Sequence, residues 1–318
     1  MQAVILAAGK GTRLHPITSD RCKALAPIAG VPVMGRLVER VIETGIRDFV
    51  VVVREGEREL RDYLTTNFSD DVAFRFVVQR EQRGMAHALD LAAPAIHEDF
   101  LLAACDTLVS TDHLRALVDA FSGSVNAVLT LMKVEMADVI RLGIVEWRDE
   151  RVKYIVEKPS VEEAPSNIGS MPIYVFSKKI LDYLSEIESS PRGEYELQDA
   201  IQMLIERDGE VTGVFTEGRD DLTTLDDCLR LNALYLRNEL DGDCDVPEDL
   251  PESVQLIPPV RIDGGVKVGA DSVVGPDVYV ERGSEIGAGS RIENAVVLRR
   301  SRVSPGSQIR GKVVLGLN

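Results

Sequence analysis

The residues best suited to chemistry begin at a glycine-rich turn near the N-terminus. Residues 7–16 read Ala-Ala-Gly-Lys-Gly-Thr-Arg-Leu-His-Pro and directly follow a short apolar run. Glycines let backbone N–H groups approach anionic oxygens, and Lys10 and Arg13 add positive charge, so phosphate is the natural ligand. Neither common nucleotide motif fits. Leu14 stands where a dinucleotide fingerprint has its third glycine, and the Gly-Lys-Ser/Thr end of a Walker loop is absent.

A carboxylate that could bind a metal ion stands at Asp106. It follows the apolar run 101–105, so we expect it at the carboxyl end of a buried strand, where open α/β sheets bind ligands. Carboxylate oxygens together with substrate phosphates suit Mg²⁺. The alternative for such an aspartate is a turn or helix N-cap residue.

The elements that must position these groups alternate in type along the first 240 residues. Short β-branched runs predict strands at 3–6, 49–53, 74–78, 100–104 and 127–132. Amphipathic stretches predict helices at 35–44, 57–66, 85–96 and 112–121. Residues 143–156 predict two strands joined by a charged turn, and 173–176 a further strand. This order is typical of an α/β domain with a largely parallel sheet, and the 143–156 insertion is expected to line a substrate cleft.

The last quarter of the chain has a different pattern. Residues 241–255 are acidic and contain two prolines, which predicts a linker. Beyond it, aliphatic residues recur every six positions, with one slip: Leu256, Ile262, Val268, Val274, Val280, Ile286, Ile292, Leu298, Val303 and Ile309. A hexapeptide repeat favours a short left-handed parallel β-helix over residues 256–318, rather than an ordinary strand-and-turn domain. The domains are therefore predicted at 1–240 and 256–318.

Longer motifs give the glycine-rich turn a context. Residues 6–14, followed by Lys23-Ala-Leu-Ala-Pro, resemble the opening signature of the sugar-1-phosphate nucleotidyltransferases. The resemblance continues in the family's order and covers nearly the whole chain, through residues 79–89, 105–106, 143–145, 157–159 and 221–232 to the hexapeptide tail. It implies a Rossmann-like nucleotidyltransferase domain with a mostly parallel mixed sheet. Members join a nucleoside triphosphate to a sugar 1-phosphate and release pyrophosphate.

The resemblance assigns a nucleotide site. Arg13 and Lys23 are the implied catalytic cations, and the implied nucleotide-binding residues are Leu6, Ala8, Gly9, Gly11, Thr12, Gln79 and Gly84. Gln79 would hydrogen-bond the base edge, which favours a pyrimidine, UTP or dTTP. His87 in the same segment is interpreted as a local packing residue.

The resemblance also assigns the acceptor and the metal. Gly143, Glu157 and Lys158 match positions that contact sugar hydroxyls and phosphate, and glucose or N-acetylglucosamine 1-phosphate is favoured. Ser170 replaces the usual asparagine of a further sugar motif, so Asn167 is the suggested substitute.

The implied Mg²⁺ ligands are Asp106 and Asp221, although Thr223 and Leu225 stand where the second metal motif usually has glycine and proline.

Composition excludes several function classes. The chain has 52 acidic and 36 basic side chains, a net charge of −16, which disfavours nucleic acid and anionic membranes as partners. Four cysteines without a CxxC pair predict reduced thiols, and with no apolar run long enough to span a membrane we expect a cytoplasmic protein. Arginine outnumbers lysine, and an acidic, lysine-poor composition suits a salt-rich cytoplasm.

The tail is expected to have an assembly or regulatory role. Hexapeptide acetyltransferases use a histidine base, whereas all four histidines precede residue 114. We therefore predict a homo-oligomer formed through the β-helix. The main alternative to an enzyme is a non-catalytic regulatory subunit that binds nucleotide-sugars. A cytidylyltransferase acting on an alcohol phosphate would share the loop and metal site but has no evident need for the 143 and 157–158 motifs.

Overall fold

The computed structural model describes residues 1–316. Contacts divide the chain into two units that do not follow chain order. Residues 1–10 and 34–220 form the first, here called the sheet unit; residues 11–33 and the chain from 221 onward form the second, the repeat unit. The domain limits at 240 and 255 rest on sequence pattern and stay predictions.

Helices lie close to the predicted positions. The α-helices are α1 (Val33–Ile42), α2 (Arg58–Asn67), α3 (Met85–Ala92), α4 (Thr111–Ala120), α5 (Leu197–Arg207) and α6 (Leu225–Leu240). Short 3₁₀ helices span Thr12–Leu14, Ile17–Ser19, Lys23–Leu25, Ala93–Ala95, Met136–Arg141 and Lys178–Glu186. The predicted helix at 85–96 is thus an α-helix that ends in a 3₁₀ turn, because Pro94 cannot donate a backbone hydrogen bond.

Strands through residue 221 are β1 (Gln2–Leu6), β2 (Pro27–Ile28), β3 (Val31–Pro32), β4 (Asp48–Val53), β5 (Ala73–Val78), β6 (Phe100–Ala104), β7 (Thr107–Leu108), β8 (Ala127–Lys133), β9 (Gly143–Arg148), β10 (Arg151–Glu157), β11 (Ile168–Phe176), β12 (Val211–Phe215) and β13 (Asp220–Asp221). Those that follow are β14 (Cys244–Asp245), β15 (Gln255–Leu256), β16 (Val260–Ile262), β17 (Lys267–Val268), β18 (Val273–Val274), β19 (Val278–Val280), β20 (Glu285–Ile286), β21 (Arg291–Val297), β22 (Arg302–Val303) and β23 (Gln308–Val314).

The sheet unit is built on a mixed sheet. Its strands run in the order β10-β9-β11-β6-β1-β4-β5, with β8 paired to both β11 and β12. Strands β6, β1, β4 and β5 are parallel, and β11 joins β6, β8 and β9 antiparallel. The predicted Rossmann-like, mostly parallel arrangement is confirmed. Strands β4 and β6 are almost fully buried β-branched and apolar runs, as expected for strands covered on both faces, whereas the edge strand β5 is exposed or half-buried.

One apolar core covers a face of this sheet. It combines inward side chains of β1, β4, β6 and β8 with the apolar sides of α3 and α5, including Val4, Val50, Leu102, Leu89 and Ile201. The core fixes the strands, so the residues that follow their carboxyl ends meet at one edge. That edge carries the predicted nucleotide and metal residues of this unit.

The repeat unit stacks short parallel strands in register. Strands pair with others 16 to 18 residues later, and a full three hexapeptides separate Val260 from Val278 and Lys267 from Glu285. The aliphatic residues Ile262, Val268, Val274, Val280, Ile286, Ile292, Val303 and Ile309 lie together in its core. These parallel strands are consistent with the predicted β-helix. Within residues 1–316, no helix is long and apolar enough to cross a membrane.

Candidate functional site

In the repeat unit, the glycine-rich turn and Lys23 are packed against each other. Gly11 has a φ of +62°, and its carbonyl accepts hydrogen bonds from the Leu14 N–H and the Thr18 hydroxyl, each at 3.0 Å. A Cβ on Gly11 would lie 2.9 Å from Cγ2 of Thr18 and 3.1 Å from Cβ of Lys23. Glycine is therefore required here both by backbone conformation and by the closeness of the lysine.

The cations of this segment differ in exposure. Thr12 and Arg13 are exposed at the start of the first 3₁₀ helix, whereas Lys23 is half-buried at the start of the third. The segment thus combines the exposed side chain of Arg13 with Lys23, whose side-chain stem packs against Gly11. Such a pair can neutralise the spread negative charge of a triphosphate.

In the sheet unit, Asp106 follows the strand next to the first strand. Leu6 pairs with Ala104, and the Cys105 N–H donates to the Leu6 carbonyl at 3.2 Å. Asp106 is half-buried, Ala8 is buried and Gly9 is exposed. The two strand ends that carry the predicted nucleotide residues 6–9 and the metal carboxylate are therefore adjacent, as the parallel order predicts.

Gln79 stands at the end of β5, on the same edge of the sheet. Its N–H donates to the Val53 carbonyl at 2.9 Å, and its side-chain Nε2 donates to the Gly84 carbonyl at 3.3 Å. Nε2 also lies 3.0 Å from Nδ1 of His87. Gln79 is only 3% exposed, so its amide orientation is held by the protein before any base binds. His87 makes this contact within its own segment, and its interpretation as a local packing residue stays a prediction.

Gly84 allows a close contact between two segments. Its φ is +105°, and a Cβ there would lie 2.5 Å from the carbonyl oxygen of Tyr195. The Tyr195 N–H donates to the Arg83 carbonyl at 2.7 Å, and the Tyr195 carbonyl accepts from Ala86 at 3.1 Å. Only glycine fits at position 84. Tyr195 is therefore a neighbour of the predicted base-binding segment, and the sequence analysis did not identify it.

A second cluster forms where β9 begins and β10 ends. Gly143 pairs with Glu157 across the hairpin, and a Cβ on Gly143 would lie 3.2 Å from Oε2 of Glu157. Lys158 Nζ is 3.0 Å from Oε1 of the same carboxylate. Three of the four predicted sugar-phosphate residues are thus together.

The Glu157 carboxylate is in an unusual electrostatic environment. Its side chain is 12% exposed, and among residues 1–316 nothing donates a hydrogen bond to Oε2. Burial raises the pKa of Glu157, Lys158 opposes that shift, and of the more distant charges Glu196 raises the pKa while Arg192 lowers it. A buried acceptor oxygen that the protein leaves open is suited to receive a hydroxyl from a ligand.

Asn167, the fourth predicted residue, is placed apart from this cluster. It is exposed, and its side-chain N–H donates to the carbonyl of Val134 at 3.1 Å. Ser170 is the β11 residue that pairs with Gly143, and its hydroxyl is 2.9 Å from the phenol oxygen of the buried Tyr174.

Three residues near the cluster were not predicted as site residues. Ser170 occupies the motif position itself, so its place in the pattern was the available signal. Burial raises the pKa of Tyr174, which keeps its phenol protonated beside Ser170. Gln198 lies with Nε2 3.0 Å from the Cβ position of Gly143. No sequence signal pointed to Gln198, because α5 reaches β9 only through the tertiary fold.

The predicted metal ligands are single carboxylates. Asp106 is half-buried, and Oδ1 of Asp221 is shielded from solvent. Asp221 precedes a capping box in which the Thr224 hydroxyl and the Asp227 carboxylate close the N-terminus of α6. Residues 1–316 contain no group of three or more metal-binding side chains. A carboxylate oxygen of this kind is a ligand that Mg²⁺ accepts together with waters and substrate phosphates, so each residue is chemically compatible with the predicted ion.

Known proteins share this architecture and sequence pattern. The chain matches the Nucleotidyl transferase family over residues 2–238 and the GMPPB C-terminal domain over residues 256–317. It is 31% identical over 340 residues to a bifunctional GlmU protein of Methanococcus maripaludis, a match that covers 100% of this chain and 78% of the relative. It is also 31% identical over 222 residues to the UTP–glucose-1-phosphate uridylyltransferase AglF of Haloferax volcanii, covering 69% and 89%.

Solved structures agree on the fold. A UDP-glucose pyrophosphorylase in complex with UDP-glucose superposes with a TM-score of 0.67 at 26% identity, covering 75% of this chain and 100% of that one. Because the family match spans well over half of the residues, the protein belongs to the nucleotidyl transferase family, and the resemblance to sugar-1-phosphate nucleotidyltransferases carried by its motifs is confirmed.

Proposed function

We propose that this protein transfers a nucleotidyl group from a nucleoside triphosphate to a sugar 1-phosphate, with release of pyrophosphate and formation of a nucleotide-sugar. The observation that carries the acceptor assignment is the cluster of Gly143, Glu157 and Lys158. A buried carboxylate oxygen without a protein donor can accept from sugar hydroxyls, and an adjacent ammonium group can pair with a phosphate. Gly143 allows a close approach of the backbone to that oxygen, since a Cβ there would lie 3.2 Å from Oε2 of Glu157 and 3.0 Å from Nε2 of Gln198.

The reaction needs positioning and charge neutralisation more than proton transfer. A phosphate oxygen of the sugar 1-phosphate is already anionic, and it forms a bond to the α-phosphorus as the bond to pyrophosphate breaks. The amides of Gly9, Gly11 and Thr12 with Arg13 are assigned to the triphosphate. Lys23 is assigned to the phosphates near the reaction centre. The packing of its side-chain stem against Gly11 supports this role, since a stem that is already held loses less freedom when the transition state forms.

Asp106 and Asp221 are the residues assigned to hold Mg²⁺. When bound, the ion would neutralise phosphate oxygens and orient the triphosphate for in-line attack.

The donor is proposed to be a pyrimidine nucleotide, UTP or dTTP. Gln79 presents a fixed amide at the sheet edge, and an amide can pair with the imide edge of uracil or thymine. Glucose or N-acetylglucosamine 1-phosphate is the proposed acceptor. The similarity to the UTP–glucose-1-phosphate uridylyltransferase of Haloferax volcanii supports UTP with glucose 1-phosphate as the first pair to test.

The test is pyrophosphate release by the full chain with magnesium, across UTP, dTTP, CTP, ATP and GTP against glucose, N-acetylglucosamine, galactose and mannose 1-phosphates. Low and molar salt are both needed, because the net charge of −16 suits a salt-rich solvent. Pyrophosphate release that requires both substrates supports the proposal. Removal of the magnesium with EDTA should abolish this release. If no substrate combination releases pyrophosphate, the proposed function is overturned and the regulatory-subunit alternative is favoured. Light scattering of the same sample tests the predicted homo-oligomer.

A further inference from the structure

The segment that carries Lys23 is part of the repeat unit, although it lies near the N-terminus of the chain. Residues 11–33, here called the loop segment, contain Gly11, Thr12, Arg13 and Lys23. Short 3₁₀ turns make up most of the stretch from 12 to 25. Such turns have few internal hydrogen bonds, so the position of Lys23 depends on contacts made elsewhere in the segment.

One anchor is a buried ion pair two residues before the lysine. Nη1 and Nη2 of Arg21 donate to Oε1 and Oε2 of Glu281, in the β-helix, at 2.8 and 2.9 Å. The two side chains are only 2% and 10% exposed. Bidentate geometry fixes the orientation of the guanidinium as well as its distance.

A neighbouring tail residue completes this anchor. The backbone N–H of Arg299 donates to Oε2 of Glu281 at 2.7 Å. Its side chain returns to the loop segment, with Nε 3.0 Å from Oδ2 of Asp20 and Nη2 2.7 Å from the Asp20 carbonyl. Two consecutive residues of the loop segment are therefore attached to the β-helix around Glu281. Arg21 binds Glu281 directly, and Asp20 is linked to it through Arg299.

A second anchor lies after the lysine. The Asn232 side chain accepts from the Ala29 N–H at 2.7 Å and donates to the Pro27 carbonyl at 3.2 Å. The guanidinium of Arg261, from the β-helix, donates to the Ala29 carbonyl. Lys23 thus lies between two attachments, at residues 20–21 and 27–29, with Gly11 against its side chain.

We propose that Glu281 is a positioning residue for nucleotidyl transfer, acting through Arg21 to hold Lys23. This inference rests on the proposed function. The tail is then a structural part of the catalytic apparatus. A lysine that must meet charge developing at a phosphorus loses effectiveness when displaced by about 1 Å, which can cost on the order of 100-fold in rate. Removing one member of a buried pair leaves the other charge uncompensated, which favours such displacement.

The experiment compares Glu281→Gln with Glu285→Gln in the full chain. Glu285 is the matched control, because it is a β-helix glutamate whose carboxylate is paired with Lys267 at 3.6 Å and Arg302 at 3.3 Å, both outside the loop segment. Glu281→Gln should lower kcat by roughly 10- to 100-fold with KM for both substrates within about twofold, since ground-state binding is not the affected step. Glu285→Gln should match the parent chain.

Amide hydrogen exchange provides a readout that does not need turnover. Glu281→Gln should speed exchange at residues 22–26 and leave the strands of the β-helix protected, whereas Glu285→Gln should not. Should Glu281→Gln unfold the β-helix, Arg299→Gln takes its place, because it removes the side-chain contacts to Asp20 and keeps the Arg299 backbone N–H on Glu281; a smaller fall in kcat is expected.

The outcomes separate the two proposals. Unchanged kcat with faster exchange, or changes equal to those of the control, would overturn the positioning role. A rise in KM with kcat unchanged would also contradict it, because that pattern indicates lost binding. An inactive parent chain in every substrate combination would refute the proposed function and with it the positioning role, while the exchange data would still decide whether Glu281 anchors the segment.

Discussion

Replacement of Glu157 by glutamine tests the acceptor site, because it removes one charge and almost no volume. In the parent chain, Oε1 is 3.0 Å from Lys158 Nζ, and Oε2 is buried without a donor from residues 1–316. Glutamine keeps one acceptor and gains an amide N–H group, which cannot accept from a sugar hydroxyl.

The expected loss follows from the strength of a charged hydrogen bond. Hydrogen bonds to an ionised group contribute about 1.5–3 kcal/mol. At about 1.4 kcal/mol per tenfold, Glu157→Gln should lower kcat/KM for the sugar 1-phosphate by roughly 10- to 100-fold. KM for the nucleoside triphosphate should stay within about twofold, because Glu157 is assigned to the acceptor.

The same substitution, Glu157→Gln, should not lower the thermal stability of the fold, although it lowers activity. Burial raises the pKa of Glu157, so the folded protein holds its proton more tightly than the unfolded chain does. The stabilising effect of that proton is complete at low pH and is lost as the pH rises through the raised pKa. Glutamine removes this loss, so the variant should unfold at a Tm equal to or above that of the parent at neutral pH, with the difference shrinking in acid.

The assay is steady-state kinetics with either substrate varied, together with thermal unfolding at several pH values. Glu146→Gln is the control, because Glu146 lies on the same hairpin but is 43% exposed beside Arg148. Full retention of kcat/KM for the sugar 1-phosphate, or a loss confined to the nucleotide, would refute the assignment of Glu157. A large fall in Tm would show that the carboxylate is structural.

Three further outcomes are expected. Asp106→Asn should abolish turnover and leave the thermal unfolding curve unchanged, so full activity with added magnesium would contradict the metal assignment. Gly84→Ala should lower Tm and weaken nucleotide binding, because its Cβ would lie 2.5 Å from the Tyr195 carbonyl oxygen at a φ of +105°; calorimetry and nucleotide titration check this. Burial raises the pKa of Cys228 to about 12, so its thiol should remain protonated at pH 8 and resist iodoacetamide, while the less buried Cys244 should react first by mass spectrometry.

Local pattern was enough to predict the elements. The apolar runs at 49–53 and 100–104 became strands within a residue of the expected bounds, and the six-residue period placed the aliphatic residues in the core of the repeat unit. The motifs also brought Gly143, Glu157 and Lys158 to one place, because a hairpin aligns its own two strands. Such features depend on residues close together in the chain, so the sequence states them directly.

Features that depend on distant partners needed the tertiary structure. Strand register determined that Ser170, and not Asn167, lies opposite Gly143, and a shift of the register would have changed that partner. Packing buried Glu157 and so raised its pKa. The strongest example is Arg21, which is paired with Glu281, 260 positions away. The sequence alone determined the elements and the motifs that predict phosphate, sugar and metal binding, whereas only long-range packing decided which neighbours hold the residues of those motifs, because those contacts join segments that no local pattern relates.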